Sequence, residues 1–363
     1  MDKKGLYIHI PFCKSKCNYC DFYSLSFCED TAKKYTDALI GELKKYAAYN
    51  FDTLYLGGGT PTVLGRENLE TLLKCISENF GAFEEATLEA NPADDLFETF
   101  KMAKHYGINR VSLGVQSGID EELVALGRRH TTREVKKTVD DINRVGIENF
   151  SLDLMLGIPN QTEETLQKSV RFLNSLCPKH ISSYLLKIEE GTLFYKMKEK
   201  LNLPDSDMSA DLYLKAVAEL EKYGFLQYEI SNFSKKGYES KHNLKYWNCE
   251  EYVGIGPAAH GFIDGKRYYY ERDLESFIKT PTPVFDSVGG GFEEYFMLKL
   301  RLVDGINLTE LQSRFSKPTE NLINKAKLLE SAGYVVLKGN TLSLTKNGFL
   351  VSNTIISQLL DCI

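Results

Sequence analysis

Six short runs rich in β-branched and aromatic residues, at 6–10, 53–57, 86–90, 110–115, 149–156 and 180–188, alternate with helix-length segments through the first half of the chain. The helical segments are 31–49, 67–80, 96–106, 132–145 and 162–176. Repeated strand-then-helix order predicts right-handed crossovers and a parallel sheet, since parallel neighbours cannot be joined by a tight hairpin. The helix ends carry matching signals. Glu163 and Glu164 place negative charge at one helix N-terminus, and Gly107, Gly146 and Gly224 stand where helices should stop. Such αβ sheets carry their chemistry at the carboxyl ends of the strands. Polar or backbone-exposing residues close five successive strands there: the loop at Cys13, Gly57-Gly58-Gly59-Thr60-Pro61, Glu89-Ala90-Asn91-Pro92, Gly114-Val115-Gln116, and Asp153 running on to Gly157-Ile158-Pro159.

Composition narrows the class. Of 363 residues, 43% are hydrophobic and 26% charged, the balance of a globular protein able to bury a core. A formal charge of −6 argues against a broad cationic face for nucleic acid. No apolar run approaches the ~18 residues of a membrane span, so peripheral contact is the only membrane association left open. The apolar stretch at 5–12 contains His9 and Pro11 and leads into cysteines with no small-residue cleavage site, so a cytoplasmic location is expected.

Eight cysteines are too sparse for a disulfide scaffold of this length. Cys28, Cys75, Cys177, Cys249 and Cys362 stand singly and read as small buried hydrophobes. Cys13, Cys17 and Cys20 crowd together, which in a reducing compartment points to soft-metal ligation. Structural zinc needs a fourth protein ligand, for which only Cys28 and His9 lie near in sequence. An iron–sulfur cube can instead be held at three irons, with the fourth open to a small molecule.

The run Tyr7-Ile8-His9-Ile10-Pro11-Phe12-Cys13, with Cys17 and Cys20, resembles the CxxxCxxC motif of radical S-adenosylmethionine (SAM) enzymes. Within them it is most similar to the branch of oxygen-independent coproporphyrinogen oxidases and HemW-type heme chaperones. The resemblance covers nearly the whole chain. It implies an α/β fold, a partial (β/α)6 barrel followed by a small α+β winged-helix-like domain. It further implies a [4Fe–4S] cluster on Cys13, Cys17 and Cys20, whose free iron chelates the amino and carboxylate groups of SAM. An electron passed into the sulfonium would release methionine and a 5′-deoxyadenosyl radical. Gly58, Gly59 and Thr60 match the loop that meets the methionyl amino group in these enzymes. Glu89, Gln116, Arg128 and Asp153 carry over as SAM contacts, with Tyr7 and Tyr19 beside them. Carboxylates suit ribose hydroxyls or an ammonium, and an arginine suits a carboxylate. No catalytic residue is assigned.

Beyond residue 190 the pattern changes. An amphipathic helix at 206–223 precedes a strand-like stretch at 227–233 and then His242-Asn243-Leu244-Lys245-Tyr246-Trp247. Gly254-Ile255-Gly256-Pro257 and His260-Gly261 read as a glycine-rich connection, and Gly289-Gly290-Gly291 as a linker. Helices at 293–301, 308–315 and 320–332 and a hairpin at 334–337 and 341–344 complete the chain. Three domains are expected: a barrel at 1–190, a barrel extension at 191–288 carrying HNxxYW, and the winged-helix-like domain at 289–363. HNxxYW resembles the heme element of the HemW-like proteins, which implies His242, Asn243, Tyr246 and Trp247 as heme contacts. A neutral imidazole is a good axial ligand, and Tyr and Trp offer flat apolar walls. The plainer reading is a histidine and two aromatics packing one domain on another.

Two departures separate this chain from the coproporphyrinogen oxidases. Phe22 stands where their CxxxCxxCxC motif has its last cysteine, and their long N-terminal extension does not precede the first strand. Both favour a chaperone that holds heme and passes it to an acceptor such as a respiratory cytochrome, with a reducing electron donor as a further partner. The alternative is oxidative decarboxylation of coproporphyrinogen III to protoporphyrinogen IX. A radical SAM enzyme acting on RNA is disfavoured by the acidic balance and the absence of an RNA-binding appendage.

Overall fold

A computed structural model of the protein describes residues 3–92 and 95–362. Six parallel strands follow one another in chain order: β1 (Lys4–Ile10), β2 (Phe51–Gly58), β3 (Glu85–Ala90), β4 (Arg110–Gln116), β5 (Asn149–Leu156) and β6 (His180–Leu185). The helices α1 (Glu29–Leu43), α2 (Arg66–Phe80), α3 (Phe97–His105), α4 (Thr132–Val145) and α5 (Glu163–Ser175) fill the crossovers. Thr131 and Glu134 close a reciprocal capping box at the start of α4, and Gly146 ends that helix in the left-handed conformation at φ 79°.

Period-two alternation decides what each face of the sheet does. Leu6, Ile8 and Ile10 of β1, Leu54 and Leu56 of β2, and Leu152 and Leu154 of β5 are fully or almost fully buried, as are the helix residues Leu72, Val139 and Val170. At ~2 kcal/mol for each large aliphatic side chain, this layer supplies most of the drive to fold. The opposite face is polar. The register aligns Tyr7 with Tyr55, Tyr55 with Thr87 and Thr87 with Arg110, and further along Glu89 with Ser112 and Asp153 with Ser182. Buried polar groups are tolerated only when bonded or charge-compensated. Arg110 is 2% exposed and donates to Thr87 Oγ1 at 3.3 Å, and its positive charge partly opposes the effect of burial on Glu89 and Asp153.

Two stretches differ from expectation. The segment at 227–233 is a hairpin, β7 (Leu226–Glu229) and β8 (Asn232–Ser234), and β8 pairs antiparallel with β6. The glycine-rich stretch near 254–261 is sheet rather than connection: β9 (Tyr252–Ile255) pairs parallel with β1, and β10 (His260–Ile263), β11 (Lys266–Tyr269) and β12 (Val284–Val288) extend it antiparallel. Gly254 is there because the backbone oxygen of His260 would lie 1.8 Å from any Cβ at that position. Short strands broken by glycine lack the alternation that betrays a strand. The full order is β12-β11-β10-β9-β1-β2-β3-β4-β5-β6-β8-β7, which leaves β1 interior with its C-terminal end at the cysteine loop.

After α6 (Ser206–Lys222), the helix α7 (Lys241–Trp247) carries the HNxxYW residues to the other rim, against the first residues of β2 and β3. The Glu85 carboxylate, at the start of β3, accepts from Ser240 Oγ and from the backbone N–H groups of Lys241 and His242 at 2.9–3.2 Å. A carboxylate at a helix N-terminus satisfies orphan donors and matches the dipole. The C-terminal region pairs a three-stranded sheet, Ile306–Asn307, Thr341–Leu344 and Val335–Lys338, with helices Leu308–Phe315 and Glu320–Ser331. Two further helices, Lys346–Leu350 and Ser352–Leu360, follow the hairpin and were not read from the sequence.

Glu85→Ala strands three donors in a buried position and is expected to lower unfolding stability by about 2–3 kcal/mol. Denaturant titration of parent and variant measures it, and coincident midpoints would contradict this role for Glu85.

Candidate functional site

The carboxyl ends of β1 to β6 enclose a cleft lined by Cys13, Cys17 and Cys20, Gly58 to Thr60, Glu89, Gln116, Arg128 and Asp153, with Tyr19 on its wall. The cysteines are free thiols, each half-buried. Among the described residues no group of three or more Cys, His, Asp or Glu side chains is placed to hold a single metal ion. Three thiols sharing one cleft fit a larger iron cube, whose separate irons each take one sulfur. Burial, then the neighbouring Cys17 and Cys13, pushes the Cys20 thiol up, so a bound cation is what would hold it as thiolate.

Strand β2 ends in the glycine loop. Gly58 has φ 104°, and a Cβ there would lie 2.6 Å from the His9 ring; a Cβ on Gly59 would lie 2.6 Å from the Phe12 carbonyl. The N–H groups of Gly59 and Thr60 donate to the carbonyls of Ile10 and Phe12 at 2.8 Å, and that of Gly58 bonds the Glu89 carboxylate. With these three donors committed, the loop has acceptors rather than donors to offer, which suits an ammonium group.

Arg128 ties the cleft together. Its Nη1 lies 3.3 Å from Cys17 Sγ and 3.4 Å from Tyr19 Oη, and its Nη2 donates to Asn91 Oδ1 and the Gly114 carbonyl. Asn91 in turn donates to Thr60 Oγ1 at 2.8 Å, and Thr60 Oγ1 lies 3.6 Å from Cys13 Sγ. Gln116 sits at φ 75°, a conformation that strains a non-glycine residue, where β4 slips register against β5. Its Oε1 accepts from Tyr184 at 2.9 Å. Two carboxyls face this cleft. Burial raises Glu89 above the usual range, against bonds from Tyr55 (2.6 Å) and Gly58. Burial, then the charge of Glu89, pushes Asp153 up to about 7. Both therefore suit a ligand that brings positive charge or hydroxyl donors.

Tyr7 lies one wall away, its hydroxyl 3.0 Å from His9 Nδ1, and lines an adjoining cavity together with Gly58 and Glu89. Asn91 and Tyr184 belong to the site and were not singled out as site residues from the sequence. Asn91 was visible as a polar residue closing β3, and Tyr184 through its inward phase on β6.

The HNxxYW residues are not brought into this cleft. His242 is fully buried, stacked on Tyr55 with ring centroids 5.3 Å apart. Its Nδ1 is 2.9 Å from Thr53 Oγ1 and its Nε2 is 2.8 Å from Tyr246 Oη, so neither nitrogen is free for an iron. Burial lowers its pKa to about 3, consistent with a neutral ring held between two hydroxyls. In this arrangement His242 packs α7 under the barrel, the plainer of the two readings of the motif. Asn243 accompanies it in the first turn of α7, and Trp247 stacks beside Arg301 at 5.9 Å. Tyr246 lines the cavity that adjoins the cysteine cleft.

A half-closed parallel barrel with three cysteines, a glycine loop and two carboxylates on one rim defines a protein of the radical SAM class. The radical SAM superfamily profile matches residues 7–173, and the HemN C-terminal domain profile matches residues 292–351. The fold is similar to that of coproporphyrinogen III oxidase (HemN) from Escherichia coli, with TM-score 0.84 and 18% identity over 98% of this chain and 90% of that one. The heme chaperone HemW of Bacillus subtilis (strain 168) is 35% identical over 98% of this chain and 99% of its own length. HemW of Escherichia coli (strain K12) is 33% identical, covering 98% of both chains. The chain belongs to the HemW family of radical SAM proteins.

Because Asp153 resists ionisation in the folded chain, the fold loses stability as pH rises from the usual aspartate range through about 7. Asp153→Asn removes that loss. Its melting temperature relative to the parent, both without ligands, is expected to climb between pH 5 and pH 8. A difference independent of pH would contradict this environment for Asp153.

Proposed function

We propose that the chain is a heme chaperone, which binds heme and hands it to an acceptor such as a respiratory cytochrome in the cytoplasm. The observation that carries this reading is near-full-length similarity, at 33–35% identity, to proteins named heme chaperone HemW. Phe22, exposed where the oxidase motif has its last cysteine, supports it over porphyrinogen decarboxylation.

In this reading Cys13, Cys17 and Cys20 would hold a [4Fe–4S] cluster, and the cleft they share would take SAM. When bound, the cluster supplies an electron to the sulfonium of SAM. Gly58 and Gly59 accept from the methionyl ammonium, Arg128 answers its carboxylate, and Glu89 and Asp153 take ribose hydroxyls. Gln116, Thr60 and Tyr19 fix the shape of that cradle, and Tyr7 closes it toward the adjoining cavity. The barrel at 1–190, its extension at 191–288 and the domain at 289–363 act as one carrier, served by an external electron donor.

The test is a pair of assays on one anaerobic preparation. Hemin is expected to give a saturable Soret band that moves to an apocytochrome on mixing. Coproporphyrinogen III with SAM and reductant is expected to give no protoporphyrinogen IX; its formation would overturn the chaperone reading. For the metal centre, Cys17→Ser is expected to lose the brown chromophore after anaerobic reconstitution, and full iron retention would remove Cys17 from the ligand set.

A further inference from the structure

Strand β3 serves both rims of the barrel. Glu85, Thr87 and Glu89 share one of its faces, so a single strand gives one carboxylate to the first turn of α7 and another to the cysteine cleft. Between the two, on the neighbouring strand β2, stands Tyr55, aligned with Thr87 in the register. Its hydroxyl donates to Glu89 Oε1 at 2.6 Å. Its ring stacks on His242, with centroids 5.3 Å apart and planes at 29°. His242 Nε2 in turn lies 2.8 Å from Tyr246 Oη. Glu89, Tyr55, His242 and Tyr246 thus run in an unbroken line from the cleft to α7.

That line is closely packed. A Cβ on Gly57 would lie 2.9 Å from both the Glu89 carboxyl and the Tyr55 ring, and a Cβ on Gly5 would lie 3.2 Å from the His242 ring. The second nitrogen of His242 is 2.9 Å from Thr53 Oγ1, so the imidazole is held on both edges. Side chains packed this way pass a displacement on to their neighbours, because the interior holds few voids to absorb it. Glu89 is where a displacement would begin, since its carboxyl lines both the cleft and the adjoining cavity. A ligand hydroxyl or ammonium that takes this carboxyl competes with the Tyr55 hydroxyl for it. The Tyr55 ring can follow only together with His242, and His242 only together with Tyr246.

We propose that Tyr55 is a positioning residue that couples the two rims: it sets the Glu89 carboxylate for SAM and, through His242, carries occupancy of the cleft to α7. The coupling rests on the reading of the cleft as a SAM site and gives that site a role toward the HNxxYW helix. Such coupling is reciprocal, so a change made at α7 alters SAM affinity in turn.

Trp247, next to Tyr246 on α7, is the one tryptophan of the chain, which makes its emission a report from that helix. The experiment titrates SAM into the reduced, reconstituted full chain. Electron paramagnetic resonance of the cluster follows occupancy, and Trp247 emission follows the helix. In the parent both signals are expected to change with one midpoint. Tyr55→Phe keeps the ring and removes the hydroxyl. It is expected to bind SAM about fivefold or more weakly and, at saturation, to leave Trp247 emission unmoved. Tyr246→Phe, at the far end of the line, is expected to weaken SAM binding as well. An emission change that persists in full in Tyr55→Phe, as one caused by the cluster's colour alone would, overturns the coupling. So does a parent whose cluster signal shifts while Trp247 emission stays constant, and in both cases the SAM reading stands. Should Tyr55→Phe take up no SAM, Tyr246→Phe decides, and a midpoint equal to the parent's overturns the coupling. A parent whose cluster signal ignores SAM removes the SAM reading itself.

Discussion

The guanidinium of Arg128 is the point on which the site depends. It follows the short helix Asp120–Ala125 beyond β4 and reaches back to bond the end of β3, the end of β4 and the cysteine loop at once. Other bonds tie the loop at its flanks: the Asn18 N–H reaches the Leu126 carbonyl, Leu25 reaches Pro11, and the carbonyls of Asp21 and Tyr23 accept from Arg272 and His9. A charged group recessed in a cleft is stable only where its partners are many and fixed. The strands supply those partners through their alternating phase, so the geometry of the sheet becomes the geometry of the site.

The inward phase also explains the division of labour between the two rims. At the carboxyl end the inward groups are the carboxyls of Glu89 and Asp153, raised by burial and open to a ligand. At the amino end they are bonded among themselves: His242 to Thr53 and Tyr246, His180 to Ser151 and Tyr228, Glu85 to the first turn of α7. One rim is built to receive and the other to hold the barrel shut.

Much of this was legible in the residues. The six strands and their helices follow from periodicity and caps, and the bounds of β5 and α4 match the structure. The cysteines stood out by their crowding and the glycine loop and strand-end acids by their resemblance to radical SAM enzymes, and the rule that αβ sheets expose chemistry at their carboxyl ends was an independent check on all three. The rule stops where the pattern stops. Strands β9 to β12 are short and interrupted by Gly254, Gly256 and Gly265, so their pairing with β1 depends on contacts far apart in sequence. The two readings of His242 stayed open for the same reason. A histidine flanked by aromatics looks alike as ligand or packing until the partners of its two nitrogens are known.

The central proposal is that Cys13, Cys17 and Cys20 would hold a cluster in the cleft that Glu89, Asp153 and Arg128 also line. The most direct measurement is electron paramagnetic resonance of the reduced, anaerobically reconstituted protein, recorded before and after adding SAM. A cluster signal that shifts on addition of SAM is the expected result, since the ligand enters the coordination sphere of the open iron. A signal that SAM leaves unmoved, or a preparation that takes up one zinc per chain in place of iron, would contradict it.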